Sequence, residues 1–248
     1  YDFFLHITKD NYPFNASVKI TFKKNQDSDK VYLHTSPNIS INKITQNDIN
    51  LEYTIDKSKL AISLSADTNR DLVSNPINID YLLTPNFEEE YGKKPHGFYN
   101  YENSYLTKFE CGYARQMLPC FDDPNIRASY TVKIIIPKEL IGISNMPLEN
   151  EKLLDNDEKE LTFLKTPPMC SYLLCICVGN FGFIESETKF GTKVKFYCEK
   201  GKEDSLHEYL RVSVFSLEWL EEKLNTKYEL PHLQLITYKG CKIGMENY

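Results

Sequence analysis

Between residue 1 and about residue 195, short runs that alternate apolar and polar residues recur between clusters of Asn, Asp, Pro and Gly. Residues 16–22, 31–33, 61–64, 130–136, 161–164 and 173–178 show the pattern most clearly. Successive side chains on a strand point to opposite faces, so a period of two marks a strand with one buried face. Many such strands at turn-punctuated intervals predict a mostly β fold, an antiparallel β-sandwich or saddle. The β-branched run that begins at Ala128 closes at Pro137, which has no N–H for a ladder. The acidic stretch 149–160 is short of large apolar residues and reads as a hairpin loop.

Beyond residue 195 the period changes. Val194-Lys195-Phe196-Tyr197-Cys198 is one more strand, after which Ser205 and Glu208 predict a capping box, each side chain satisfying a backbone N–H at a helix start. Leu206, Leu210, Leu217, Leu220 and Leu224 recur at intervals of three, four or seven. That spacing lays an apolar stripe along one side of a helix. Tyr209, Phe215 and Trp219 widen the stripe, and the face is expected to pack on a sheet. A strand over residues 233–237 follows. Two parts are expected: a β domain over residues 1–195 and an α/β segment over residues 196–248.

The 248 residues suit one large or two ordinary domains, and 41% hydrophobic with 26% charged residues is the balance of a globular chain. A net charge of −6, from 29 basic and 35 acidic residues, argues against a nucleic-acid partner. No apolar run approaches the roughly 20 residues of a spanning helix, so no membrane segment is expected. The chain opens on Tyr1-Asp2 without a signal peptide and is expected to be a processed product or an excised piece. Seven cysteines lie in no regular ladder, which points to a reduced, intracellular (cytoplasmic) setting. Sequons at Asn15 and Asn38 leave a secreted or ectodomain origin open. Cys175 and Cys177 share a strand face, which suits either a metal or redox pair or, the reading we favour, two small buried hydrophobes.

Several segments stand out in order along the chain. They are Gly97-Phe98-Tyr99, Leu106-Thr107-Lys108-Phe109-Glu110, Tyr113-Ala114-Arg115-Gln116-Met117-Leu118-Pro119-Cys120-Phe121-Asp122-Asp123-Pro124, Ile143-Ser144-Asn145-Met146-Pro147, Thr166-Pro167-Pro168-Met169 and Gly244-Met245-Glu246-Asn247-Tyr248. Together they resemble the M1 (gluzincin) zinc aminopeptidases. The last is similar to that family's Gly-Ala-Met-Glu-Asn exopeptidase motif, and the second to its Thr-Gln-Phe-Glu block.

The resemblance implies an amino-terminal β domain followed by the truncated start of a thermolysin-like catalytic domain. It also implies Zn2+ in a longer protein, with its ligands beyond residue 248, so that this chain anchors substrate and does not cut it. Its partners are then peptide amino termini and the remainder of the catalytic domain. By motif matching Glu110 and Glu246 grip the substrate's α-ammonium, Ile243 and Gly244 run beside the peptide, and Met245 touches the pocket for its first side chain. Asn247 completes the motif. Ile243-Gly244 stands where the family has Gly-Ala, and Lys108 stands where it commonly has glutamine. A lysine there is expected to favour acidic or polar first residues by like-charge repulsion of Arg and Lys. Arg115, Asp122 and Asp123 are expected to lock the loop that carries Glu110, with Phe109, Met117 and Phe121 in the core.

His207-Glu208-Tyr209-Leu210-Arg211 imitates half of a zincin helix. Arginine stands where a second histidine is needed, and a guanidinium stays protonated and cannot ligate zinc. His6, His34, His96 and His232 have no ligand spacing and are expected at the surface or satisfied in the core. Two other readings stay open: a β-rich scaffold or binding relative without catalysis, and an epoxide hydrolase of the leukotriene-processing kind.

Overall fold

A computed structural model describes residues 1–9, 12–23, 28–64, 75–87, 96–101, 103–237 and 247. The chain divides into two compact units, one built on residues 1–138, 142–178 and 245–248, the other on residues 139–141 and 179–244. The expected junction near residue 195 falls inside a strand of the second unit.

In the first unit an eight-stranded sheet runs β15 (Leu148–Leu153), β16 (Glu158–Phe163), β13 (Thr131–Pro137), β1 (Asp2–His6), β2 (Phe14–Ile20), β8 (Ile77–Leu83), β4 (Ile39–Gln46), β5 (Ile49–Asn50). Neighbours are antiparallel except β1 with β13. Alternation explains β2: Phe14, Ala16, Val18 and Ile20 are buried, while Asn15 and Lys19 are exposed. A five-stranded sheet runs β14 (Ile141–Ser144), β18 (Ile176–Gly179), β11 (Ser104–Lys108), β10 (Gly97–Tyr101), β9 (Asn86–Phe87). Smaller sheets join β3 (Lys30–His34), β7 (Lys59–Ser63) and β6 (Tyr53–Asp56), and β12 (Arg127–Ala128) with β17 (Met169–Cys170).

The two large sheets meet through aromatic side chains. Phe14 of β2 packs edge-on against Tyr105 of β11 and Phe98 of β10, with ring centroids 5.2 and 6.5 Å apart. Aromatic edges prefer such tilted contacts with neighbouring π faces. Deeper in the same layer, the Tyr81 hydroxyl of β8 donates to the Met117 carbonyl at 2.9 Å. This is the mostly β, antiparallel-rich layered fold that the period-two runs predict.

The second unit holds β19 (Phe181–Glu187), β20 (Lys193–Glu199), α1 (His207–Leu224) and β21 (His232–Ile236). β19 and β20 pair antiparallel and β20 and β21 parallel. Asn225 ends α1 in the left-handed conformation, which asparagine tolerates, and its N–H returns to the last turn. No helix among the described residues is long and apolar enough to cross a membrane.

Three local expectations need correction. Ser205 and Glu208 do not form a capping box: a 3-10 turn over Glu203–Leu206 precedes α1, Ser205 Oγ donates to the Lys202 carbonyl at 2.7 Å, and Glu208 pairs with Arg211 instead. The N-cap position of α1 falls on Leu206, whose side chain has no acceptor to offer. The stretch 149–160 is mostly strand rather than loop, β15 and β16 joined by a short turn with Asn156 and Asp157 at positive φ. Every residue of β15 is exposed, in keeping with the polar run Glu149-Asn150-Glu151-Lys152 between its two terminal leucines. The leucine stripe of α1 is split. Leu210 and Leu217 pack with Val194, Phe196, Leu233 and Leu235, whereas Leu220, Leu224, Tyr209, Phe215 and Trp219 are exposed.

Candidate functional site

The segment that carries Glu110 is positioned by what lies on either side of it. β11 pairs with β10, setting Lys108 opposite Gly97, and with β18, setting Tyr105 opposite Val178. Gly97 has φ of +80, and a Cβ there would lie 2.1 Å from Gln116 Oε1. Only glycine fits a left-handed position so closely approached. Just past the strand, Phe109 is fully buried and Glu110 is exposed, so one peptide unit separates an anchor from a free carboxylate. Lys108 is half-buried.

The chain then turns at once. The Tyr113 N–H donates to the Phe109 carbonyl at 3.1 Å, and a 3-10 helix over Ala114–Gln116 follows. Ala114, Met117 and Leu118 are fully buried. Asp122 closes the loop. Its Oδ2 accepts from Arg115 Nε at 2.8 Å and from the Arg115 backbone N–H at 3.2 Å, and its Oδ1 accepts from the Ser171 hydroxyl at 2.8 Å. The Asp122 side chain is only 1% exposed, so this charge is held by a full set of donors, as a buried carboxylate requires.

His34 supplies the remaining partner. The Asp122 N–H donates to His34 Nδ1 at 3.1 Å, and backbone bonds of 2.8 and 3.1 Å bridge His34 and Cys120. An acceptor Nδ1 requires a neutral ring whose one proton sits on Nε2. Burial, then the Arg115 charge, lowers the His34 pKa and keeps the ring neutral.

The predicted site residues therefore divide. Glu110 and Lys108 sit at the end of β11, and Asn247 is half-buried. Ile243, Gly244, Met245 and Glu246 lie outside the described residues, so the convergence of Glu110 with Glu246 does not enter the geometry. Arg115 and Asp122 form the expected lock. Asp123 does not join it: its Oδ1 accepts from the Asn125 backbone N–H and side-chain amide at 2.9 and 3.0 Å, capping a turn. Phe109 and Met117 are core, but Phe121 is only half-buried, against Phe22.

Sequence reasoning missed Ser171, the specific role of His34, and Thr107, whose hydroxyl accepts the Ile176 N–H at 2.9 Å. Thr107 was open to detection, because it shares strand parity with the buried Tyr105 and Phe109. Ser171 and His34 carry no such signal, lying 49 and 88 residues from Asp122. Three other histidines have partners: His6 bonds Glu158 at 2.8 Å, His96 stacks on Tyr113, and His232 meets Gln234 at 3.0 Å, while His207 is exposed at the start of α1. In the zincin-like stretch Arg211 pairs with Glu208. Among the described residues no three His, Cys, Asp or Glu side chains are grouped to hold a metal ion, so none of them is assigned one.

The family model described as the Peptidase M1 N-terminal domain matches residues 1–173. The puromycin-sensitive aminopeptidase of Caenorhabditis elegans is 30% identical over 248 residues, covering 94% of this chain and 26% of that protein. Aminopeptidase M1 of Arabidopsis thaliana is 34% identical over 176 residues, covering 67% and 20%. The glutamyl aminopeptidase of Rattus norvegicus is 33% identical over 187 residues, covering 72% and 20%. The chain thus spans about a quarter or less of the length of these curated relatives. Among solved structures, Legionella pneumophila aminopeptidase A in complex with aspartic acid superposes with a TM-score of 0.79. It is 22% identical and matched over 95% of this chain and 28% of that one, a likeness of fold. Since the match to the M1 amino-terminal domain takes in the strands, the Glu110 loop and its Arg115–Asp122 lock, the chain belongs to the M1 peptidase family.

Proposed function

We propose that this chain is the substrate-anchoring, amino-terminal part of a zinc metallo-aminopeptidase that removes amino-terminal residues from peptides. In this reading residues 1–195 are its β domain, residues 196–248 open the catalytic domain, and the zinc ligands lie beyond residue 248. Membership of the M1 family and the aminopeptidase names of the relatives support it. The observation that carries it is the placement of Glu110: an exposed carboxylate one residue past a wholly buried phenylalanine, on a loop closed by a buried ion pair.

An aminopeptidase counts one residue from a peptide's end, so it needs anions that hold an α-ammonium at a fixed place. Glu110 supplies one and Glu246 of the exopeptidase motif the other, with Asn247 completing the motif. Ile243 and Gly244 are assigned the role of offering the peptide backbone groups in the manner of strand addition. Met245 touches the first side chain. A unit charge pair at about 4 Å in an effective dielectric near 20 is worth roughly 4 kcal/mol, and desolvation removes much of it. About 1.5–3 kcal/mol per charge-assisted hydrogen bond is left. Two such bonds select a charged amino terminus over an acetylated one.

Lys108, two residues before Glu110, biases the pocket toward acidic or polar first residues. The rat relative's name, glutamyl aminopeptidase, supports that bias. The six described cysteines are all free thiols, which supports a reduced, intracellular setting.

The test is steady-state kinetics of the full-length protein that carries this chain, on aminoacyl-coumarin substrates. Glu110→Gln is expected to raise KM by about 10- to 100-fold, the worth of one such bond. An unchanged KM sinks the reading. Lys108→Gln is expected to raise the ratio of Arg to Glu substrate turnover, and an unchanged ratio removes the specificity assignment alone.

A further inference from the structure

The first unit contains a pair of thiols that the anchoring role does not use. Cys175 and Cys177 flank Ile176 at the start of β18, both buried, with their sulfurs 3.8 Å apart. Cys170, by contrast, turns its sulfur to the Pro124 carbonyl at 3.1 Å, and Cys111 is exposed. Ile176, between the two cysteines, is tied to the neighbouring strand. Its N–H donates to the Thr107 hydroxyl oxygen of β11 at 2.9 Å. Thr107 stands next to Lys108 and three residues before Glu110.

We propose that Cys175 and Cys177 are a redox modification site, a dithiol that hydrogen peroxide converts to an intrachain disulfide, loosening the strand end that carries Glu110. The chemistry is suited to this. The two thiols share a hydrogen bond that lowers the Cys175 pKa, while that same bond together with burial raises Cys177. One sulfur of the pair is thereby favoured as the thiolate, the nucleophilic form. Its attack on one peroxide oxygen forms an S–O bond and breaks the O–O bond. The hydroxide that leaves takes up the proton Cys175 released and becomes water, and Cys175 is now a sulfenic acid, oxidised by two electrons. Cys177 then attacks the Cys175 sulfur, the S–S bond forms, the S–O bond breaks, and the departing hydroxide takes the Cys177 proton. Two thiols and one peroxide give one disulfide and two waters.

The backbone around the pair tells where the strain goes. The Cys175 N–H is held by Asn145 Oδ1 at 2.8 Å, its carbonyl by the Ser144 hydroxyl at 2.9 Å, and the Ile176 N–H by Thr107 Oγ1 at 2.9 Å. A disulfide is about 2.05 Å long, so the sulfurs must swing toward each other. With the Cys175 backbone pinned on both sides, it is the Ile176 bond to Thr107 that gives way. The consequence for substrate rests on the proposed role of Glu110; the disulfide and its effect on Thr107 do not.

The full-length protein, titrated with hydrogen peroxide, quenched by alkylation and digested, tests the site by mass spectrometry. The peptide holding Cys175 and Cys177 is expected to lose two hydrogens and resist alkylation, and reduced glutathione to reverse both. If both cysteines still alkylate at a dose that has oxidised the exposed Cys111, the proposal is overturned. Amide hydrogen exchange over residues 105–110 is expected to quicken roughly fivefold or more on oxidation in the wild type and not in Cys177→Ala or Cys175→Ala. Unchanged exchange in the oxidised wild type overturns the link to Thr107. KM for a peptide with a free amino terminus is expected to rise on oxidation in the wild type alone. If Glu110→Gln leaves KM unaltered, the Glu110 reading fails while the mass and exchange results still decide the dithiol.

Discussion

The segment 105–122 and helix α1 are equally long, and each carries an arginine paired with an acid and several large apolar residues. In the first, Arg115 meets an Asp122 side chain that is 1% exposed, and Leu106, Phe109, Met117 and Leu118 are at most 2% exposed. In the second, Arg211 and Glu208 are 71% and 69% exposed, and Phe215, Trp219 and Leu224 are 64%, 49% and 69% exposed. The same residue types thus do different work. In segment 105–122 the arginine meets a buried carboxylate, and Leu106, Phe109, Met117 and Leu118 are covered. Among the described residues, helix α1 is covered on one side, by Val194, Phe196, Leu233 and Leu235 of its own unit.

The contrast breaks most readily at Asp122. Asp122→Ala leaves the half-buried Arg115 without its carboxylate and is expected to destabilise the chain by about 3–5 kcal/mol, read from denaturant unfolding. A loss as small as that of an exposed pair would contradict a buried lock. Leu217→Ala on the covered side of α1 comes next, at about 2–4 kcal/mol for a buried leucine truncated to a cavity.

A pH series sharpens the same comparison. The His34 pKa is lowered in the folded chain, so the unfolded chain binds more protons near its ordinary value of about 6.5. Stability from this group is complete above that pH and is lost as pH falls through the window below it. Thermal unfolding between about pH 7.5 and 5.5 is expected to show a fall that His34→Gln flattens. An identical slope in the variant removes His34 from the account. The smallest effect belongs to the open side of α1: Phe215→Ser is expected to change stability by less than about 0.5 kcal/mol. A cost equal to that of Leu217→Ala would mean that the face is covered after all.

What could be read from the sequence follows from the range of the interactions. β2 was legible because its alternation is local and both its edges are paired, and β13 because its β-branched run ends in proline. Leu210 and Leu217 were legible as a helical face, but periodicity says which residues share a face and not whether anything covers it. That is why Leu220 and Leu224 were misplaced. The start of α1 was misread because a hydroxyl serves either a cap or a 3-10 turn, and the local pattern of both is alike. At the candidate site, Glu110 and its lock were visible as a run of residue types. Ser171 and His34 were not, because a hydrogen bond between distant segments leaves no period in either one. Asp123 looked like Asp122 until geometry showed one carboxylate turned to Arg115 and the other to Asn125.

The central claim, that Glu110 and Glu246 hold one amino terminus, is tested most directly by an experimental structure of the full-length protein bound to a peptide with a free α-ammonium. The account predicts both carboxylates within about 3 Å of that one nitrogen. Carboxyl carbons more than about 12 Å apart, beyond any hydrogen-bonded span across a single amine, would contradict it.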